Sequence, residues 1–156
     1  MTDQTALSFR RATRSDLKAI IDLLANDALG QGREVVSDEP DAAYIAAFEA
    51  IERDANQLLA VGTLADGTIA ACLQLSFMPG LSRHGQWRGQ IESVRVAEAA
   101  RGQGAGRQMM AWAIAECKKR GCGLVQLTSD KTRGDAIRFY ESLGFVASHE
   151  GLKLSL

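Results

Sequence analysis

Three cysteines and two histidines are all that this 156-residue sequence holds of the commonest metal-binding side chains. Cys72, Cys117 and Cys122 cannot all pair within one chain, and none belongs to a C-x-x-C ligand pair. A disulfide framework and a thiolate metal site are therefore set aside in favour of reduced thiols. His84 and His149 lie far apart and support no metal site. No run reaches the roughly 18 apolar residues that a membrane span needs. The start, Met1-Thr2-Asp3-Gln4, lacks the basic and apolar regions of a secretory signal, so the expected location is cytoplasmic. Charge of one sign is lacking too. Eighteen Lys plus Arg against 19 Asp plus Glu leave a net charge of −1, whereas a general nucleic-acid binder presents a strongly basic face.

What is present is ordinary globular material, 46% hydrophobic and 24% charged. Its length suits one domain, 1–156, with a core that needs no staples. No internal repeat, low-complexity tract or linker divides it. The charge is unevenly spread, however. Residues 1–78 hold six basic and twelve acidic side chains, and residues 79–156 hold twelve and seven. An anionic ligand held by the C-terminal half would account for that asymmetry.

Leu7-Ser8-Phe9-Arg10 reads as a first strand. Ser15 caps a helix whose residues Leu17, Ile20, Ile21 and Leu24 follow helical spacing. A polar loop over 27–37 carries Gly30 and Gly32 as breakers, and Pro40 suits the first turn of a second helix with Tyr44, Ile45, Phe48 and Ile51 as its apolar face. Leu58 to Leu64 and Ile69 to Met78 are apolar runs joined through Asp66-Gly67, a strong hairpin signal. A loop with Arg83, His84, Trp87 and Arg88 leads to Ile91-Glu92-Ser93-Val94-Arg95-Val96, whose inward residues Ile91, Val94 and Val96 differ in parity. A bulge between 92 and 94 would produce that slip. A long helix then runs through Met109, Met110, Ala113, Ile114 and Cys117 to a stop at Gly121. Leu124 to Thr128 reads as a strand, Asp135 to Leu143 as a helix, and Phe145–Ser148 and Leu152–Leu156 as a final strand pair. The expected architecture is α/β (α+β), with a mixed, mostly antiparallel sheet of about seven strands and about four helices.

Between strand and long helix lies Arg101-Gly102-Gln103-Gly104-Ala105-Gly106-Arg107. Three glycines in five residues permit positive φ and let backbone N–H groups converge on an anion, helped by the helix N-terminus. The plainer reading is a tight turn that starts a helix close to a strand. The turn has no Lys-Ser/Thr, which excludes a P-loop, and Arg107 stands where a dinucleotide fingerprint needs its third glycine. Asp130 could sit as a ribose-binding acid, but the preceding order is hairpin-like rather than βαβ.

This turn resembles the Arg/Gln-x-x-Gly-x-Gly/Ala signature of the GCN5-related N-acetyltransferase (GNAT) superfamily. Asp135-Ala136-Ile137-Arg138-Phe139-Tyr140-Glu141-Ser142-Leu143-Gly144-Phe145 resembles the same family's closing segment. Trp87, the Asp135–Tyr140 stretch and Ser148-His149 are somewhat like aminoalkylphosphonate-type acetyltransferases. The resemblance implies splayed central strands and acetyl-CoA as acetyl donor. It implies that Arg101, Gly102, Gln103, Gly104, Ala105, Gly106 and Arg107 bind that donor, with the pyrophosphate on backbone N–H groups from about Gln103 to Arg107, and that the pantetheine arm lies on Val94, Arg95 and Val96. One backbone N–H of that strand would polarise the thioester carbonyl.

The resemblance makes Tyr140 the acid that protonates the departing thiolate, a role a phenol can fill at neutral pH. Alternatively Tyr140 belongs to the helix core. Glu92 is the first candidate for the base, with an exposed strand residue paired to an arginine as the rival reading. His149 and Glu34 follow. Arg83, Trp87 and Arg88 either shape an acceptor pocket or form a solvated loop. Arg133 stands where many relatives have Asn, and it either contacts a phosphate of the donor or faces solvent. The expected activity is direct, ternary-complex transfer of acetyl to a primary amine of a small molecule, with a homodimer as the expected assembly. Acetylation of a protein or peptide amine, and a non-catalytic acyl-CoA-binding module, are the alternatives.

Overall fold

Five strands form one mixed sheet in sequence order: β1 (Ser8–Arg11), β2 (Gln57–Thr63), β3 (Ile69–Met78), β4 (Trp87–Val96) and β5 (Cys122–Leu127). The computed structural model describes residues 6–27 and 31–156; the Met1–Gln4 start and the Gly30 break lie outside them. The first three pairings are antiparallel, and β4 pairs β5 in parallel. The β2–β3 turn is built as its sequence requires. Gly67 has φ +86°, and the Asp66 carboxylate accepts the Thr68 N–H at 2.9 Å.

Helices α1 (Leu17–Ala25) and α2 (Ala42–Arg53) cover one face of the sheet. Leu17, Ile20 and Phe48 pack there on Leu59, Val61 and Cys72. A short left-handed turn, α3 (Ser82–Gly85), joins β3 to β4, with positive φ at Arg83 and His84. The parallel β4–β5 pair needs a crossover, supplied by α4 (Ala105–Lys119) on the other face. There Met109, Met110, Ala113 and Cys117 bury Leu58, Leu73, Leu75, Phe77 and Ile91. Glycine is required at 89, where Cys117 of α4 lies against the sheet backbone. A Cβ at Gly89 would collide with Cys117 Sγ and approach Cys117 Cβ to 3.2 Å. Helix α5 (Gly134–Ser142) follows β5.

Several expectations are corrected. Asp16, rather than Ser15, organises the start of α1. Its buried carboxylate accepts the Thr13 N–H at 2.7 Å and both Arg10 Nη groups at 2.6 and 3.0 Å. The Arg10 hydrogen bonds hold the Asp16 pKa below the ordinary carboxylate value, against the opposing effect of burial. Pro40 precedes α2, which Asp41 caps through the Ala43 N–H at 2.8 Å. The expected strands at 145–148 and 152–156 are not formed, so the described residues give five strands and five helices instead of seven and four. Val146, Leu152, Leu154 and Leu156 are exposed. Alternation marks a face to be buried, but a strand also needs a backbone partner, which the pattern does not specify.

Candidate active site

The pairing of β4 with β5 stops at Ile91 opposite Leu127, although β4 continues to Val96 beside β3. The strands therefore part from Glu92 onward, as the resemblance implies. The expected bulge lies at the start of that free half. Glu92 faces Gln74 and Arg95 faces Cys72, so Ser93 and Val94 together oppose Leu73. Ser93 takes the left-handed conformation, φ +55°. The extra residue turns Val94 and Val96 toward the α4 core and leaves Glu92 and Ser93 exposed.

Beyond the free half comes the glycine turn. Gly102 and Gly104 have φ +73° and +82°, and open space lies where their Cβ atoms would stand. The first N–H groups of α4 have no acceptor within the helix. Turn and helix start thus form a backbone cradle for an anion. Arg101 holds the turn from beneath, its Nε donating to Val96 O at 3.1 Å and its Nη2 to Asn26 O at 3.4 Å. Gln103 Nε2 donates to Ala99 O at 2.8 Å, Ala105 is buried, and the Gly106 Cβ position contacts Phe139 at 3.4 Å. Arg107 reaches across to α5, donating to Ser142 Oγ at 3.2 Å.

Tyr140 stands on α5 against the rings of Phe139 and Phe145, with centroids 5.4 and 6.0 Å away. Burial pushes its phenol above the ordinary value, opposed by the nearby charges of Arg133 and Arg95. The group is therefore protonated at neutral pH and has two cations in its field. Those cations belong to a cluster that sequence reading missed. Asp27, just after α1, lies 3.2 Å from Arg95 Nη2 and 3.6 Å from Arg133 Nη1. Arg95 and Asp27 are largely buried, at 16% and 14% side-chain exposure. Arg95 also donates to Val94 O at 2.8 Å. Among the described residues, Arg95 Nε is buried without a hydrogen-bond partner. Asp27 sits in a polar loop with no periodic or motif signal, and only the fold brings it to Arg95.

The other candidates scatter. Glu34 accepts the Tyr44 hydroxyl at 2.7 Å and is tied to α2. That bond, after the larger effect of burial, raises the Tyr44 pKa. His149 lies on the exposed tail, its Nδ1 2.7 Å from Ser148 Oγ. Arg83, Trp87 and Arg88 are exposed. Cys72 is nearer the bulge than its sequence position suggests, with Sγ 3.8 Å from Ser93 O. Burial pushes its thiol up to about 12. Between α1, α2 and the sheet lies a cavity of about 140 Å³, apolar on the helical side, with Gln74 and Ser93 on the sheet side.

Comparison with known proteins places this geometry in a family. A solved structure described as a transcriptional regulator from Bacillus halodurans C-125 is 47% identical, with TM-score 0.93, over 97% of this chain and all of that one. An acetyltransferase structure from Trypanosoma brucei is 27% identical, with TM-score 0.76, over 97% of this chain and 100% of that one. The aminoalkylphosphonate N-acetyltransferase of Salmonella typhimurium is 35% identical over 86 residues, 55% of each chain, so the match spans about half of that relative. No helix among the described residues is long and apolar enough to cross a membrane. The family model described as acetyltransferase (GNAT) family matches residues 18–145, which takes in the parted strands, the glycine turn and Tyr140, and the chain belongs to the GNAT acetyltransferase family.

Proposed function

We propose that residues 1–156 act as one cytoplasmic N-acetyltransferase domain that moves an acetyl group from acetyl-CoA to a primary amine of a small molecule. The observation that carries this reading is the half of β4 that leaves β5 and runs into a positive-φ glycine turn. The open cradle over Gly102 and Gly104 suits a pyrophosphate. Acetyl-CoA would supply an activated thioester. Val94, Arg95 and Val96 would hold its pantetheine arm by their backbone, and the turn from Arg101 to Arg107 its phosphates. Arg133 adds positive charge near this end of the cleft.

In this mechanism Glu92 takes the proton of the acceptor amine, directly or through water, and Tyr140 gives a proton to the departing thiolate. The raised phenol pKa keeps that proton available. A backbone N–H of β4 stabilises negative charge on the carbonyl oxygen. Transfer is direct. The cysteine beside the bulge, Cys72, is fully buried with a thiol pKa of about 12, which makes it a poor nucleophile. The aminoalkylphosphonate relative supports a small amine acceptor. The exposed Leu152, Leu154 and Leu156 support a homodimer.

The test is thiol release from acetyl-CoA over a panel of small amines and short peptides, with calorimetry of acetyl-CoA binding. No binding heat would end the acetyltransferase reading. The 47% identical regulator from Bacillus halodurans favours a second reading, a non-catalytic acyl-CoA-responsive module. Tyr140→Phe separates the two. An enzyme loses about 100-fold or more in turnover and keeps its acetyl-CoA affinity, whereas a sensor has no turnover to lose.

A further inference from the structure

Residues of β2, β3 and β4 alternate between the α4 face and the opposite one. Leu58, Leu75, Phe77 and Ile91 lie in the α4 core, so Gln57, Gln74, Ser76, Gln90 and Glu92 face the other way. Helices α1 and α2 cover only part of that face, over Leu59, Val61 and Cys72. Beyond their edge the register sets four polar residues in one line. Gln57 is opposite Ser76, Ser76 opposite Gln90, and Gln90 opposite Gln126. The line crosses four strands, about 14 Å at ordinary strand spacing. It holds amides and a hydroxyl and no charge, and all four residues are half-buried.

The row is internally bonded and only partly satisfied. Gln57 Oε1 accepts from Gln74 Nε2 and from Ser76 Oγ, both at 2.9 Å. Gln90 Oε1 accepts from Gln126 Nε2 at 2.8 Å. Among the described residues no partner engages the amide N–H groups of Gln57 and Gln90 or the amide oxygens of Gln74 and Gln126. These bonds fix the carboxamides and leave donors and acceptors side by side. The row also ends at the cleft. The Gln90–Gln126 pair is one rung before Ile91–Leu127, the last before the strands part. Two charges flank Gln90 on its own strand: Arg88 lies two residues before it, away from the cleft, and Glu92 two residues after it, on the free half opposite Gln74.

We infer that this row is the floor of the acceptor site and that the acceptor is a polyhydroxylated primary amine. This rests on the acetyltransferase reading above and deepens it. Neutral amides offering both donors and acceptors match hydroxyl groups, which are also both, and they demand no counter-charge from the ligand. Glu92 supplies the single negative charge, where an amine must lie to reach a thioester at the fork. A site whose half-buried polar groups are completed by substrate hydroxyls disfavours an analogue without them.

The test uses the full chain with two ring amines, glucosamine and cyclohexylamine. The ratio of their kcat/KM values is measured by thiol release for the parent, Gln126→Leu and the length-matched Gln126→Met. The ratio should fall about tenfold or more in both variants, mainly through KM for glucosamine. Acetyl-CoA calorimetry shows whether each variant is folded. A second readout is independent of turnover. With ¹⁵N-labelled parent protein and acetyl-CoA present, glucosamine should saturably shift side-chain amide signals that are lost in the Gln90 or Gln126 variants. An unchanged ratio, or no such shift up to the solubility of glucosamine, overturns the assignment. Failure to bind acetyl-CoA at all would instead overturn the acetyltransferase reading beneath it.

Discussion

From Arg88 to Ile91, β4 has strand neighbours on both sides; from Glu92 to Val96 it keeps β3 alone. The first half is a structural strand. Gly89 and Ile91 are buried, and α4 presses on the backbone at Gly89. The second half carries a bulge, a left-handed serine and a largely buried ion pair. One strand thus serves both stability and binding, and the bulge marks the boundary. Backbone groups that a closed sheet would consume are left available where the strands part.

The sharpest way to break this comparison is Gly89→Ala, which pushes a methyl into Cys117. It should lower stability by about 2–3 kcal/mol, read as a fall in Tm, and Gly89→Ala/Cys117→Ala should recover most of the loss. No recovery would mean that the approach to the Cβ of residue 117, at 3.2 Å, rather than the thiol, sets the need for glycine. Asp27→Ala acts on the free half. It leaves Arg95 buried without its anion, and a loss of about 2 kcal/mol is expected for a pair with this residual exposure. Urea melts measure it, and Arg95→Met in the same background should lessen the loss. Gly104→Ala meets no steric obstacle but must hold a left-handed conformation, a loss of about 1 kcal/mol. Calorimetry should show acetyl-CoA affinity falling by more than that. Equal losses in stability and affinity would remove the distinction between the halves.

A smaller effect is set by pH. The Asp16 pKa is lowered in the folded protein, so the stability it contributes is present above the unfolded carboxylate pKa, near 4, and is lost as pH falls through the folded value. Acid melts of Asp16→Asn should be flatter over that window than those of the parent. Cys72 and Cys117 act in the opposite sense. Burial raises both to about 12, so the unfolded chain releases their protons first and stability falls as pH rises above about 9.

How much of this was legible in the sequence depends on distance along the chain. The bulge announced itself as a parity slip between Ile91 and Val94, and the turn as three closely spaced glycines, because both are local devices. Asp27 gave no signal, since its partners Arg95 and Arg133 are about 70 and 100 residues away and only tertiary packing joins them. The polar row was equally hidden. Gln57, Ser76, Gln90 and Gln126 are unremarkable one at a time, and strand register alone makes them a line. The tail erred the other way. Its Leu152, Leu154 and Leu156 alternate as a strand does, although a period of two says which side is apolar and nothing about what pairs with the backbone.

The contact of Gly89 with Cys117 gives α4 a fulcrum. The helix is about 22 Å long at its regular rise, and this close approach fixes its C-terminal end against the sheet. Its other end carries the glycine turn. A change of side-chain size at residue 117 therefore bears on the same helix that carries the cradle, and screens for altered donor selectivity should sample that remote end of the helix as well as the turn.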